Sequence, residues 1–151
     1  MGTHFAGNKE ELRALNTYIK LVRAADSVMS RVYRNSNLNG LTISQFGVLE
    51  ALLHLGPLCQ RELGTKILKS SGNITMVIDN LEKRELVERK RDRRDRRFVN
   101  VHLTGQGRKM IRKIFPRHVA SIRAELEILS PGELTQFGDI CRRVGLGKES
   151  G

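Results

Sequence analysis

The chain has 151 residues, with 27 Lys and Arg against 16 Asp and Glu and a formal charge of +11. That length suits one domain, and so large a positive surplus favours a polyanionic partner, nucleic acid ahead of an anionic membrane. Cys59 and Cys141 are far apart and argue against a disulfide scaffold, while no apolar run approaches the ~20 residues that span a bilayer.

Residues 1–7 read as a loose tail, and the N-terminal stretch MGTHFAGNKEEL lacks the apolar core of a signal peptide, so a cytoplasmic protein is expected. From Asn8 to about Tyr33 or Ser36, Leu12, Leu15, Ile19, Val22, Ala25, Met29 and Val32 recur at steps of three and four. This is the apolar stripe of a long helix, ~40 Å from end to end. A helix that long in a chain this small suits pairing with a second copy. Thr42 and Gln45 have the spacing of a capping box for a second helix running to about Leu55, with Phe46, Leu49, Leu52 and Leu53 facing inward. Gly56-Pro57 stops it. A shorter helix is expected from Gln60 to Leu68, burying Leu63, Ile67 and Leu68.

Ser70 or Ser71 can cap the next helix, whose inner face is Ile74, Val77, Ile78 and Leu81. Its other face carries Asn73, Thr75, Met76, Asp79 and Asn80. Strands are expected from Leu86 to about Arg91 and from Phe98 to Leu103, joined by the charged tip Asp92-Arg93-Arg94-Asp95-Arg96-Arg97. Thr104 caps a fifth helix with Ile111, Ile114, Phe115, Ile122 and Leu126 as its stripe, and Pro116 predicts a kink or break. Ser130-Pro131-Gly132-Glu133 is a strong start for the last helix, which packs Leu134, Phe137, Ile140, Cys141 and Val144. Residues 145–151 read as a flexible end.

The stretch Leu68–Thr104 carries the functional signal. An α-helix fits the major groove of B-DNA, and short polar residues at its start can reach base edges. Ser70, Ser71, Asn73 and Thr75 are of that type, and exposed Met76 suits a thymine methyl. From Lys83 to Arg97 there are nine basic and four acidic residues, a net of nine minus four, or +5. An Arg-studded hairpin tip suits a narrow minor groove. Asp92 and Asp95 oppose phosphate and are expected to pair with nearby Arg to shape the tip. The bland alternatives are a solvated helix surface and a solvated charged loop; their adjacency favours the functional reading.

These residues resemble the MarR family of winged helix-turn-helix transcription regulators, over about residues 10–144. The motif is Asp-x-Arg followed by Val-x-Leu-Thr, present as Asp95, Arg97, Val101, Leu103 and Thr104, with Thr75, Val77, Ile78, Asp79, Leu81, Glu82 and Leu86-Val87 also in register. The resemblance implies a mainly α fold with a small β wing, a winged helix-turn-helix with N- and C-terminal dimerisation helices. As one domain over 1–151, it would have dimerisation helices in 1–40 and 104–145 and the DNA-binding region in 41–103. It further implies that Arg97, oriented by Asp95, enters the minor groove; the charged tip itself adds Arg93, Arg94 and Arg96 to the wing contact. Ser70, Ser71, Asn73, Thr75 and Met76 fall at base or phosphate positions, and Gln60 and Arg61 begin a helix lying across a phosphate. Glu85 departs from a common Gly and Met76 from a common Arg.

A two-fold homodimer on a pseudo-palindromic operator in double-stranded DNA follows from the same resemblance. So does a response to a signal: a phenolic or other aromatic ligand, oxidation or a metal. Met29, Tyr33, Phe46 and His54 are the candidate pocket, though each residue type is more often plain core. Both cysteines read as small buried filler, with oxidation at Cys59 as an alternative. The four histidines show no metal spacing, and no cofactor is expected. The expected function is a sequence-specific repressor released by a small ligand. Alternatives are a redox-responsive regulator acting through Cys59, a non-regulatory winged-helix adaptor, and an enzyme, for which no nucleophile, metal cluster or phosphate loop is legible.

Overall fold

The computed structural model describes residues 3–67 and 71–148, the side chains of 71 and 72 excepted. The elements run α1 (Lys9–Ser36), α2 (Ile43–Leu55), β1 (Leu58–Cys59), α3 (Gln60–Lys66), α4 (Ser71–Lys83), β2 (Val87–Arg91), β3 (Val99–Leu103), α5 (Gly105–Leu126) and α6 (Pro131–Leu146). The chain divides into two units, one of residues 1–34 with 120–151, the other of residues 35–119. Helices α1 and α5 each pass from one unit into the other.

In the first unit the helix starts are set by local side chains. Asn8 Oδ1 accepts from the Glu11 N–H while Glu11 Oε2 accepts from the Asn8 N–H, a reciprocal box that begins α1. Ser130 and Glu133 do the same for α6, with Pro131 in its first turn. The Ser130 amide holds the Glu133 carboxyl below its usual range, with the hydroxyl adding to the effect. Arg31 Nε donates to Glu125 Oε2 at 2.7 Å and ties α1 to the end of α5. The expected packing of α6 is not met within the single chain. Leu134, Phe137, Ile140 and Val144 are all exposed, no α6 residue is buried, and Cys141 is exposed rather than filler. The stripe is real, but no described residue of the same copy buries it. Helix α6 also runs on to Leu146 before Gly147, with a positive φ, ends it, so residues 145 and 146 are helical rather than part of the expected flexible end.

The second unit holds the main core: Phe46, Val48, Leu49 and Leu52 of α2, Leu63 of α3, Ile74, Ile78 and Leu81 of α4, Leu86, Val87 and Val101 of the hairpin, and Ile111 and Ile114 of α5. The Thr42–Gln45 capping box forms as expected, and Gly56 (φ 79°) stops α2. Four expectations need adjusting. Val48 takes the buried place given to Leu53, because α2 buries more than one stripe, and Val77 of α4 is only half-buried. Leu86 lies ahead of β2 in the turn. Pro116 does not break α5, which is continuous from Gly105 to Leu126. Pro116 and Arg112 are exposed, so the Arg112 carbonyl that loses its partner faces water. Leu68 and Ser70, and the side chain of Ser71, lie outside the described residues.

The sheet has three antiparallel strands in the order β1-β3-β2. β2 pairs with β3 from Val87–Leu103 to Arg91–Val99, and the two residues of β1 pair with Val101 and Asn100.

Helix α4 ends in a left-handed residue that is not glycine. Glu85 has φ 60°, its N–H reaches the Glu82 carbonyl, and the Leu86 N–H reaches the Leu81 carbonyl. These two bonds form a Schellman motif, with buried Leu81 and Leu86 as its apolar pair. Thr104 then closes the junction. Its N–H donates to the Leu86 carbonyl, its hydroxyl to the Glu85 carbonyl, and the same oxygen accepts from the Gly107 N–H at the start of α5. Gly107 lies against that junction, where a Cβ would stand 1.9 Å from the Leu86 carbonyl oxygen. Only glycine fits there.

Candidate nucleic-acid interface

Helix α4 presents Asn73, Met76 and Asn80 to solvent, with Thr75 half-buried. The Gln60 side-chain amide donates to the Thr75 hydroxyl, so the first residue of α3 steadies the recognition-type helix. Gln60 is half-buried in this role, and its neighbour Arg61 is exposed. An apolar side chain as exposed as Met76, at 64%, is unusual on a helix that is otherwise polar on this side.

The hairpin tip is built by its two aspartates, in different ways. Asp92 Oδ1 accepts from the backbone N–H of Arg94 (2.7 Å) and Asp95 (3.1 Å), and its other oxygen accepts from Asn100 Nδ2 (3.2 Å). Asp92 therefore shapes the loop through backbone amides and Asn100, rather than by the expected pairing with Arg side chains. The Asp95 and then the Arg94 amides hold its carboxyl below the usual range. Asp95 makes the expected arginine pair. Arg97 Nη2 donates to Oδ2 at 2.7 Å, Nε donates to both oxygens, and the Arg97 N–H donates to Oδ1. That fork lowers the Asp95 pKa and raises that of Arg97, the side-chain bond being the main cause for each. Arg97 is nevertheless 86% exposed, a cation aimed by its partner and open to solvent. Arg91 Nη1 donates to the Arg96 carbonyl and braces the tip from its other side. Arg93, Arg94 and Arg96 are exposed.

Arg89 was not among the expected site residues. Its guanidinium reaches Asp79 Oδ1 (2.7 Å) and Glu82 Oε1 (2.9 Å), while its N–H donates to Glu82 Oε2 (3.2 Å). The strand is thereby fastened to α4. The sequence signal was the spacing of two carboxylates three residues apart on α4, a helical turn facing one strand position.

Cys59 is half-buried before α3, beside an open groove of about 560 Å³ lined by Arg61, Lys66, Phe98 and Asn100 among others. The Glu62 carboxyl is held below its usual range by the Cys59 thiol, then by the Cys59 N–H. Of the four expected pocket residues, Met29 (exposed) and Tyr33 (half-buried) lie on α1 in the first unit. Phe46 (buried) and His54 (exposed) lie on α2 in the second. Phe46 packs against the ring of His118, and His54 against Phe115, at centroid separations of 4.7 and 4.6 Å.

A short helix, a longer helix that exposes Asn73 and Met76, and a basic antiparallel hairpin directly after it, all in one unit, define a winged helix-turn-helix. The comparisons agree. Residues 41–99 match the model of the MarR family. The chain is 37% identical to the HTH-type transcriptional regulator MhqR of Bacillus subtilis over 134 residues, 89% of this chain and 92% of that protein. Its fold is similar to that of AbsC, a MarR family transcriptional regulator from Streptomyces coelicolor, with a TM-score of 0.76 and 25% identity over 95% of this chain and 96% of that one. It is also similar to the PcaV transcriptional regulator of the same organism, solved in complex with its natural ligand, with a TM-score of 0.69 and 25% identity over 95% and 99% of the two chains. The chain belongs to the MarR family. It is a DNA-binding transcriptional regulator, not an enzyme. Among the described residues no helix is long and apolar enough to cross a membrane.

Proposed function

We propose that this regulator binds a pseudo-palindromic operator in double-stranded DNA as a homodimer, acts as a repressor, and is released by a small aromatic or phenolic ligand. The observation that carries the DNA reading is Arg97, held by Asp95 yet open to solvent, on the same unit as the exposed face of α4. Asn73, Thr75 and Met76, with Ser70 and Ser71 before them, read the major groove. Arg97, aided by Arg93, Arg94 and Arg96, enters the minor groove, where the potential is most negative. Gln60 and Arg61 stand over a phosphate. The homodimer reading is supported by the uncovered apolar side chains of the first unit, Leu21 and Val22 on α1 and Leu134, Phe137, Ile140 and Val144 on α6. Apolar stripes of this kind are covered in a stable protein, and a second copy offers the same stripe in return. Two recognition helices would then face successive major grooves, ~34 Å apart. Release by a ligand is supported by kinship with PcaV, whose own ligand accompanies it.

Selecting bound sequences from random duplexes and comparing the selected site with a scrambled one tests the reading. The selected site should bind ~10³-fold tighter or better, with affinity falling steeply as salt rises. Equal affinity for both duplexes contradicts it. Small phenols and aromatic acids are then screened for release of the bound duplex.

A further inference from the structure

We propose that Arg89 is a positioning residue that sets the wing against the recognition helix, so that Arg97 and the start of α4 meet one duplex at a fixed separation. The proposal rests on the DNA reading given above and adds a determinant that does not itself touch DNA. Strand β2 is one edge of the sheet, so among the described residues one side of its backbone has no neighbouring strand. Arg89, opposite Val101, stands midway along the hairpin between its root at Val87–Leu103 and the last pair Arg91–Val99. There its N–H, Nη1 and Nη2 take three carboxylate oxygens from Glu82 and Asp79. The two acids lie on successive turns of α4, so both ends of the guanidinium fork are held, and sliding the strand along the helix or swinging it away breaks these bonds. The root of the hairpin is fixed separately, by the Schellman turn at Glu85 and the Thr104 clamp. Arg89 adds a second point of attachment further out, and two points define an angle.

Electrostatics sharpen the case. Asp79 and Glu82 leave the three-residue cluster with one net negative charge on a helix that approaches a polyanion. On charge alone, removing either carboxylate should tighten DNA binding. If their work is to hold Arg89, removing one should loosen it. Exposed ion pairs add little to global stability, so the effect should appear in binding rather than in unfolding. A wing that is already in place spares the ordering cost that a free wing pays on binding.

The test is fluorescence anisotropy of the full chain on its selected duplex, across a salt series, with Asp79→Asn, Arg89→Lys and, as control, Arg97→Ala. The expected result is that Asp79→Asn and Arg89→Lys each weaken binding by ~3–10-fold, with the salt slope and the urea unfolding midpoint close to those of the parent. Arg97→Ala weakens binding and lowers the slope by about 1. Binding by Asp79→Asn that equals or exceeds the parent overturns the inference while leaving the wing reading intact. A slope lowered by about 1 in Arg89→Lys would make Arg89 a phosphate contact and also overturn it. Unchanged binding by Arg97→Ala would remove the wing reading and this inference with it.

Discussion

Replacing Gly107 by Ala tests the junction on which the wing is mounted. The added methyl carbon would stand 1.9 Å from the Leu86 carbonyl oxygen, 2.9 Å from its carbon and 3.2 Å from the Leu86 Cα. An ordinary carbon–oxygen contact needs roughly 3.3 Å or more, so about 1.4 Å must be found by moving backbone. Overpacking that side chains can absorb costs about 1–3 kcal/mol. Here the obstacle is main chain, and the same Leu86 carbonyl accepts the Thr104 N–H, a bond whose loss adds about 1 kcal/mol. The expected loss is therefore about 3–4 kcal/mol, a large share of the 5–15 kcal/mol typical of a domain. Urea unfolding followed by circular dichroism, at one protein concentration throughout, reads this directly. Gly105→Ala is the matched control. It makes the same chemical change two residues away, where a Cβ meets nothing within 4 Å. That variant should be neutral or gain up to about 1 kcal/mol in helix propensity. A Gly107→Ala protein within about 1 kcal/mol of the parent, or one no worse than Gly105→Ala, would refute the reasoning.

Two further predictions concern stability. Glu85→Gly should stabilise the protein by about 0.5–1 kcal/mol, because Glu85 occupies the left-handed position that ends α4, and a rise in the urea midpoint would show it. His118 is buried against Phe46, with Nδ1 3.2 Å from the Ser36 hydroxyl, and burial lowers its pKa while Glu50 opposes in part. The unfolded chain thus takes up the proton first, so stability should be intact above about pH 6.5 and fall as pH drops through the lowered value. In His118→Gln this part of the pH dependence should flatten; an unchanged profile would deny His118 the role.

Local chemistry was legible from sequence. The boxes at Thr42–Gln45 and Ser130–Glu133, the stop at Gly56 and the Thr104 cap each depend on residues three or four apart, and each formed as read. The hairpin and its Asp95–Arg97 pair were equally near-neighbour features. What escaped depended on contacts between distant parts of the chain. Strand β1 is two residues long and has no alternation; it exists because Val101 and Asn100 pair with it from 40 or more residues away. Arg89 adds to the net charge of the wing in sequence, although a pairing seven and ten residues back neutralises it. Glu85 was seen as a departure from glycine, but its left-handed turn depends on the clamp that Thr104 supplies from across the hairpin. The stripe on α6 is apolar as read but lies exposed in the single chain, since periodicity reports a face and not what covers it.

The central claim is that this winged helix grips DNA at two points, with Arg97 as the outer one. The most direct measurement is the affinity of Arg97→Ala for the selected duplex across a salt series, alongside the sedimentation of the free protein. The account predicts weaker binding by about 1–3 kcal/mol, a salt slope lower by about 1, and the same oligomeric state as the parent. Parent-like affinity and slope in a normally folded variant would contradict it.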